Sequence, residues 1–310
     1  MSVTEDQLVA WFEAQRQLDP RRFPIGIGDD MAQVRLEGGG SVLITTDMLL
    51  EGVHFDLASA TLEQVGYKAM ATSLSDCAAM ATRPLAAVVS VGLPPHFGAD
   101  ELKRVHEGIL RAADKYDCPL VGGDMTCWKN RTPIVINVAM LSTPATSGAI
   151  TRSGAQVGDC ICVTGLLGGS LAGRHLDFEP RVQEAIRIAR SAAIHAMMDI
   201  SDGLASDLRR ICWRSGVGAI IDLERLPISE SARRSVNPVH SALCDGEDFE
   251  LLFALSPDDC LNLLKGWDQP VPITRIGTIT DTGKVQIRTA DCATQDLTDR
   301  GYDHFSHGND

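Results

Sequence analysis

Aspartates in this sequence recur beside glycine, serine or threonine, at places where a strand or helix ends and a loop can present a carboxylate. Six have this character: Asp30, Asp47, Asp76, Asp124, Asp199 and Asp202. Carboxylates combined with phosphate oxygens and water form the environment that Mg²⁺ prefers in proteins. A single one of these acids could equally be a helix cap or a turn residue. Their joint pattern favours a magnesium–phosphate site, although spacing alone does not show that they meet.

One pair can be placed by geometry. The segment Glu37–Gly40 is typical of a hairpin loop, and pairing Leu36 with Ser41 predicts that Asp30 lies opposite Asp47. Cβ atoms of directly opposed residues are only about 5 Å apart. Two carboxylates about 4 Å apart repel by about 4 kcal/mol at an effective dielectric of about 20, so such a pair protonates, splays apart or holds a cation. Thr45 and Thr46 add hydroxyl and carbonyl oxygens beside it.

Two further segments suit phosphate groups. Gly122 and Gly123 precede Asp124 after a short apolar strand, where glycines let backbone N–H groups approach an anion. Ser201 follows Asp199 as a predicted N-cap, which would offer both oxygens and helix N-terminal amides. The glycine-rich segment 165–170 lacks the Gly-Lys-Ser/Thr ending of a P-loop, so we interpret it as a strand-to-helix turn.

Composition and charge restrict the function. The 310 residues carry a formal net charge of −13, which predicts no binding to nucleic acid or anionic membrane and requires cations for a polyanionic substrate. Nine scattered cysteines without a Cys-x-x-Cys spacing indicate reduced, packed thiols. The acidic, amphipathic N-terminus is unlike a signal peptide, and no apolar run approaches about 20 residues. We therefore expect a cytoplasmic enzyme.

The predicted elements indicate a mixed α/β (α+β) chain of two domains. A Ser-, Thr-, Gly- and Pro-rich segment at 142–158 places the boundary, giving domains 1–145 and 146–310. Helices are predicted near 61–81, 101–116, 182–197, 201–215 and 257–267. Strands are predicted near 32–36, 42–46, 86–93, 120–122, 134–141, 160–164, 218–222, 249–255 and 274–279.

Eight strings, taken in order, resemble the thiamine-monophosphate kinase family, within the superfamily of aminoimidazole ribotide synthetase and selenophosphate synthetase. They are GIGDDMA (26–32), TTDMLLEGVHF (45–55), YKAMATSLSDCAAM (67–80), VGGDMT (121–126), TRSGAQVGD (151–159), DISDGLASDL (199–208), GEDFEL (246–251) and GYDHF (301–305). They span nearly the whole chain, and the combination is far more specific than any one string.

The resemblance implies transfer of the γ-phosphoryl group of ATP to thiamine monophosphate, by direct in-line transfer with several Mg²⁺ ions and no phosphoenzyme. It implies Mg²⁺ ligands at Asp30, Thr45, Thr46, Asp47, Asp76, Asp124, Asp199 and Asp202, of which Asp47, Asp124 and Asp202 are the candidate catalytic carboxylates. It implies ATP contacts from Gly123, Asp124, Arg152 and Ser201, and thiamine phosphate contacts from His54, Glu247 and Tyr302. It further implies a homodimer in which the N-terminal sheet completes a barrel with its partner, and an ATP cleft between the two halves.

Other interpretations exist for several of these residues and for the function. His54 could be a half-buried loop histidine, Glu247 a turn cap and Tyr302 a packing residue. The family more often has a second threonine at position 125 and a glycine at position 245, where this chain has Met125 and Asp245. The role of Asp29 is open. An activity like that of aminoimidazole ribotide synthetase and a non-catalytic nucleotide-binding homologue are the competing functions.

Overall fold

The computed structural model describes residues 4–15, 17–130 and 133–305. Its N-terminal half contains α1 (Glu5–Gln15), β1 (Ala32–Arg35), β2 (Ser41–Leu50), α2 (Leu62–Ala79), β3 (Thr82–Leu93), α3 (Ala99–Lys115), β4 (Leu120–Cys127) and β5 (Val135–Pro144). The five strands form one sheet in the order β1-β2-β5-β3-β4. Only β3 and β4 run parallel within it.

The second half contains β6 (Cys160–Thr164), α4 (Val182–Ser191), β7 (Ile194–Asp199), α5 (Leu204–Ser215), β8 (Gly218–Asp222), α6 (Glu230–Arg233), α7 (Pro238–Cys244), β9 (Leu251–Leu255), α8 (Pro257–Gly266), β10 (Ile273–Thr280), β11 (Val285–Arg288) and β12 (Thr294–Asp296). Short 3₁₀ turns lie at Ser170–Ala172, Arg174–Leu176 and Leu223–Arg225. The strands form a seven-stranded sheet in the order β12-β11-β8-β10-β6-β9-β7. The chain therefore has the predicted mixed α/β, two-domain fold.

Helix α2 lies at the centre of the molecule. The helix predicted near 61–81 opens with a capping box of Thr61 and Gln64, with reciprocal hydrogen bonds of 3.0 and 3.2 Å. The helix packs closely on α3 because glycines face each other: a Cβ at Gly66 would lie 1.9 Å from the carbonyl oxygen of Val105, and one at Gly108 would lie 2.0 Å from that of Glu63. Most of α2 is consequently buried, including polar side chains that point toward the site.

Two predictions about elements are wrong. The helix predicted over 182–197 ends at Ser191, and Ile194–Asp199 forms β7, which pairs antiparallel with β9. A short apolar run fits a fully buried strand as well as a helix, and here it fills the place beside β9. Ser201 does not cap α5, whose N-cap is Gly203. Instead, the carboxylate of Asp207 accepts hydrogen bonds from the backbone N–H groups of residues 202 and 203.

The predicted hairpin forms, but its register is shifted by one residue. Arg35, not Leu36, pairs with Ser41, and β1 begins at Ala32. Asp30 thus lies before the strand and is not a ladder partner of Asp47, because the loop takes one more residue than predicted. Across the described ranges, no helix combines the length and the apolar character needed to cross a membrane.

Candidate active site

A cavity of about 700 Å³ is lined by both halves of the chain. The N-terminal half contributes the loop before β1, strand β2, the loop after it and one face of α2. The C-terminal half contributes Arg152, the end of β7, the loop before β9 and the C-terminal segment. Twelve of the fourteen predicted site residues line this cavity, together with Asp29: Asp30, Thr45, Thr46, Asp47, His54, Asp76, Arg152, Asp199, Ser201, Asp202, Glu247 and Tyr302. The two predicted residues that do not line the cavity are Gly123 and Asp124.

Three carboxylates converge at the inner end of this cavity. One oxygen from each of Asp30, Asp76 and Asp199 lies within 4.8 Å of the others. They arrive from three places, namely the loop before β1, helix α2 and the end of β7. Asp47 joins them from β2, since it lines the same cavity and the charge of Asp30 raises its pKa. The wrong hairpin register therefore does not remove the predicted proximity of Asp30 and Asp47, which follows from the path of the loop.

Three of these acids accept hydrogen bonds from hydroxyl groups. Ser73 donates to Asp47 at 2.6 Å, Ser75 donates to Asp199 at 2.6 Å, and Thr45 donates to Asp76. Among the described residues, no Lys, Arg or His forms an ion pair with Asp47, Asp76 or Asp199. Buried carboxylates normally have a cationic partner. Their oxygens, together with the Thr45 hydroxyl, form a donor set suited to a hard cation such as Mg²⁺.

Burial and the repulsion between neighbouring negative charges raise the pKa values of these acids. Burial, assisted by the charge of Asp30, raises the pKa of Asp47 to about 6 and that of Asp199 to about 7. Burial and the charges of Asp47, Asp199 and Asp30 raise the pKa of Asp76 well above its usual range. A bound cation would reverse these shifts, because it favours the ionised forms.

Asp30 and Asp202 differ from Asp47, Asp76 and Asp199 because arginines pair with them. Arg152 contacts both carboxylate oxygens of Asp30, at 2.5 and 3.2 Å. Arg210 lies 2.5 Å from Asp202. Asp29 accepts the backbone N–H of Arg152 at 3.0 Å, and burial raises its pKa to about 7. In this structure Arg152 is thus held by Asp30 at the edge of the cavity, where an anion could compete for its guanidinium group.

The opposite end of the cavity is organised by Lys68, which is fully buried on α2. Its Nζ lies 2.6 and 2.8 Å from the two carboxylate oxygens of Glu247 and 2.5 Å from the backbone oxygen of His54. Nδ1 of His54 accepts the backbone N–H of Leu50 at 3.1 Å, which leaves Nε2 as the donor. Burial and the charge of Lys68 lower the pKa of His54 to about 4, so the ring is neutral at pH 7.

The C-terminal segment closes this end. The backbone N–H of Tyr302 donates to the carbonyl oxygen of Asp202 at 2.9 Å. Gly301 is needed there, because a Cβ would lie 1.8 Å from the same oxygen. The Tyr302 ring packs edge-on against His304, whose ring centroid lies 5.4 Å from that of His54. Tyr302 is half exposed and lines the cavity, so it is not only a packing residue.

The glycine-rich segment 165–170 is structural, as interpreted from the sequence. The backbone N–H of Gly168 donates to the carboxylate of Asp248, at 2.8 and 3.0 Å. The N–H of Gly169 donates to Asp245 at 3.0 Å. Side chains of the protein therefore occupy the amides that a phosphate loop would offer. The unusual Asp245 has a definite role in this turn.

Gly123 and Asp124 lie apart from the other predicted ligands. Strand β4 is an exposed edge, and in the ladder Asp124 aligns with Ser90, Asn137 and Met48. Asp124 consequently lies on the exposed face of the sheet. Three strand spacings separate β4 from β2, or roughly 14 Å, so a single chain does not bring Asp124 to the acid cluster.

The sequence did not single out several residues that organise the site. Ser73 and Ser75 orient two of the acids, and Arg210 pairs with a third. Lys68 shares one stripe of α2 with Thr72 and Asp76, a spacing that by itself gives it no role in the site. A lysine amid the small apolar residues of a buried helix is the signal that could have identified it, since a buried ammonium group needs a partner.

We expect Lys68→Met to lower the free energy of unfolding by about 3–5 kcal/mol, because it removes one partner of a largely buried ion pair. Lys68 is 0% exposed and Glu247 is 20% exposed. The matched control is Lys103→Met, whose pair with Asp100 is 71% and 90% exposed and should contribute less than about 1 kcal/mol. Urea unfolding measures both variants. Equal losses of unfolding free energy in the two variants would show that the Lys68–Glu247 pair stabilises the fold no more than an exposed ion pair does.

Comparison with known proteins assigns the family. Residues 28–143 match the N-terminal domain of the AIR synthase related proteins, and residues 156–289 match their C-terminal domain. A thiamine-monophosphate kinase of Rhodopirellula baltica is 36% identical over 312 residues, which cover 97% of both chains. That of Escherichia coli K12 is 35% identical over 314 residues, covering 91% of this chain and 92% of the relative.

Solved structures support the same family assignment. The complex of AaThiL with AMPPCP and TMP has a TM-score of 0.83 and 30% identity, and covers 97% of both chains. The thiamine-monophosphate kinase of Stenotrophomonas maltophilia K279a has a TM-score of 0.71 and 32% identity, covering 93% of this chain and 97% of that one. Together with the converging aspartates, these similarities show that the chain belongs to the thiamine-monophosphate kinase family of AIR synthase related proteins.

Proposed function

We propose that this chain phosphorylates thiamine monophosphate with ATP, giving thiamine diphosphate and ADP. The observation that carries the proposal is a set of three acids, Asp47, Asp76 and Asp199, whose hydrogen-bond partners are hydroxyl groups rather than cations. Asp199 is buried, and the other two are half-buried. They share one cavity with His54, Glu247 and Tyr302. A relative of 30% identity was solved with AMPPCP and TMP, which supports the same pair of ligands here.

The proposed metal ligands are Asp30, Thr45, Thr46, Asp47, Asp76, Asp199 and Asp202, with Asp124 considered separately below. We propose that they hold more than one Mg²⁺ ion, because these residues offer more oxygens than one octahedrally coordinated Mg²⁺, which also keeps several waters, can accept. When bound, Mg²⁺ would neutralise the phosphates and the charge that develops on the transferred group.

The chain's own residues orient the two substrates. Arg152 and Ser201 line the cavity beside the acids and are proposed to contact ATP. His54, Glu247 and Tyr302 are proposed to hold the thiamine phosphate, with neutral His54 donating from Nε2. A phosphate oxygen of the acceptor attacks the γ-phosphorus in line, and the bond from that phosphorus to the oxygen of ADP breaks. No residue needs to remove a proton, since the acceptor phosphate is already ionised at neutral pH.

The test is product formation. Purified protein with ATP and Mg²⁺ should convert thiamine monophosphate into thiamine diphosphate, with one ADP for each product molecule. Unphosphorylated thiamine is the control acceptor and should give neither product. Binding of ATP without release of ADP in the presence of thiamine monophosphate would contradict the proposal.

We propose that the chain acts as a homodimer and that each site is completed by the partner. The exposed face of the N-terminal sheet carries Ile44, Met48, Val88 and Leu141, each at least 40% exposed. An apolar face of this kind is typical of a protein–protein interface. Asp124 lies on the same face, remote from its own acid cluster. A second copy packed against this face would place its Gly123 and Asp124 near the first copy's ATP, and the two sheets could complete a barrel.

Mixed dimers test this arrangement. We expect homodimers of Asp76→Asn and of Asp124→Ala to be inactive, because each lacks a ligand at both sites. A heterodimer purified with two different tags should recover about half of the wild-type activity, since one of its two shared sites is intact. A heterodimer without activity would show that Asp124 serves its own chain. Full activity of Asp124→Ala alone would remove it from the ligand set.

We also propose domain limits of 1–145 and 146–310, which are supported by the separate sheets and by the two family matches. The proposed compartment is the reducing cytoplasm. All nine cysteines are free, and seven of them are at least partly buried.

A further inference from the structure

A second group of potential metal ligands lies outside the cavity. Ligand atoms of His240, Cys244 and Asp299 all lie within 4.8 Å of one another. Nδ1 of His240 is 3.2 Å from Oδ2 of Asp299. None of the three lines the cavity described above. The phosphate chemistry therefore does not explain why these residue types meet here.

The fold brings the three side chains together from two segments. His240 and Cys244 are four residues apart on α7, so they project from the same helical face. Asp299 follows β12 in the C-terminal segment. The guanidinium group of Arg209 holds that segment in place, because it donates to the carbonyl oxygen of Leu297 at 2.5 Å.

We propose that His240, Cys244 and Asp299 bind a thiophilic divalent cation of the Zn²⁺ class, with water as the fourth ligand. Imidazole nitrogen, thiolate sulfur and carboxylate oxygen are the three ligand types that Zn²⁺ uses in proteins. Tetrahedral bonds of about 2.0–2.3 Å require ligand atoms roughly 3.5 Å apart, so only small side-chain movements are needed. His240 and Asp299 are 52% and 46% exposed, which gives an ion access from solvent.

Binding requires loss of the Cys244 proton. Burial, with a smaller effect from the charge of Asp299, raises the pKa of this thiol to about 11, whereas the charge of Arg209 opposes the shift. The cation would displace the proton, as it does in other thiolate sites.

The position of the proposed ion would link it to residues that line the cavity. Cys244 lies three residues before Glu247, and Asp299 lies three residues before Tyr302. An ion held by all three ligands would join the two segments that carry these cavity residues. It would act as a positioning device for Tyr302 rather than as part of the reaction.

Co²⁺ is the probe for the first test, because thiolate ligation gives it a charge-transfer absorption band in the near ultraviolet. Chelator-treated protein in excess Mg²⁺, which occupies the oxygen-ligand cluster, is titrated with Co²⁺. We expect the band to saturate at one equivalent per chain and to disappear when Zn²⁺ is added. It should be absent in Cys244→Ser and retained in the control Cys292→Ser, which removes an exposed cysteine elsewhere.

Two further variants keep the test decisive if Cys244→Ser fails to fold. His240→Ala and Asp299→Asn alter half-exposed side chains, and each should weaken Co²⁺ binding at least about tenfold. Zn²⁺ should also slow hydrogen exchange at the amides of Gly301 and Tyr302 in the wild-type protein but not in Asp299→Asn. No thiolate band, or a band unchanged in His240→Ala and Asp299→Asn, would overturn the proposal and leave an ordinary His–Asp pair.

Discussion

Asp76→Asn should abolish phosphoryl transfer while making the metal-free protein more stable. Asp76 is half-buried, and desolvation together with the charges of Asp47, Asp199 and Asp30 raises its pKa. Asparagine has nearly the same shape but no charge, so the substitution removes repulsion in the absence of metal. It also removes a metal ligand. We expect kcat to fall by roughly 10³-fold, or about 4 kcal/mol in the activation barrier.

The opposite signs of the two effects separate this explanation from simple misfolding. Without Mg²⁺, the free energy of unfolding of Asp76→Asn should exceed that of the wild type by on the order of 1 kcal/mol. Steady-state kinetics and thermal unfolding in a chelator measure the two quantities. The control Asp114→Asn replaces an exposed acid on α3 and should change neither. Loss of activity together with loss of stability would indicate a structural role for Asp76 instead.

Mg²⁺ should stabilise the protein much more at pH 8 than at pH 5. The pKa values of Asp47, Asp199 and Asp29 are raised to about 6, 7 and 7. A carboxyl whose folded pKa is raised favours the folded state when protonated. That contribution is fully present below its unfolded pKa, near 4, and is lost as the pH rises through about 6–7. The metal-free protein should therefore lose stability across this interval.

Bound Mg²⁺ replaces the lost protons, so its effect should grow over the same interval. We expect the Mg²⁺-induced rise in Tm to be small at pH 5, to increase steeply up to about pH 7 and to level off above it. Asp199→Asn should flatten this dependence, because one of the titrating acids is gone. A rise in Tm that is the same at both pH values would contradict the assignment of Asp47 and Asp199 as metal ligands.

Local features of the fold could be predicted from the sequence because they depend on neighbouring residues. The helix predicted near 61–81 and strand β6 at Cys160–Thr164 are confirmed. The register of the first hairpin could not be predicted, since it depends on how many residues the Gly-rich loop uses. The run after Ser191 became β7 because β9 offered a partner, and such a tertiary contact has no local signal.

The site residues also divide into those that the sequence predicts and those that depend on tertiary contacts. The convergence of Asp30, Asp76 and Asp199 was implied by the family motifs, and the structure places them together. The position of Asp124 was not predictable, because a motif gives the residue type but not the face of the sheet. Lys68 and the serine hydroxyls of α2 were missed because they act through other residues. Their roles depend on a helix that is buried between both halves of the chain.

Binding of Mn²⁺ in place of Mg²⁺, followed by electron paramagnetic resonance, tests the central claim most directly. The claim is that Asp30, Asp47, Asp76 and Asp199 hold the cations that carry the phosphates. The wild-type protein should bind more than one Mn²⁺ ion per chain when a non-hydrolysable ATP analogue is present. Asp76→Asn should bind fewer Mn²⁺ ions per chain while keeping the same fold. Equal Mn²⁺ binding by the two proteins would contradict the account.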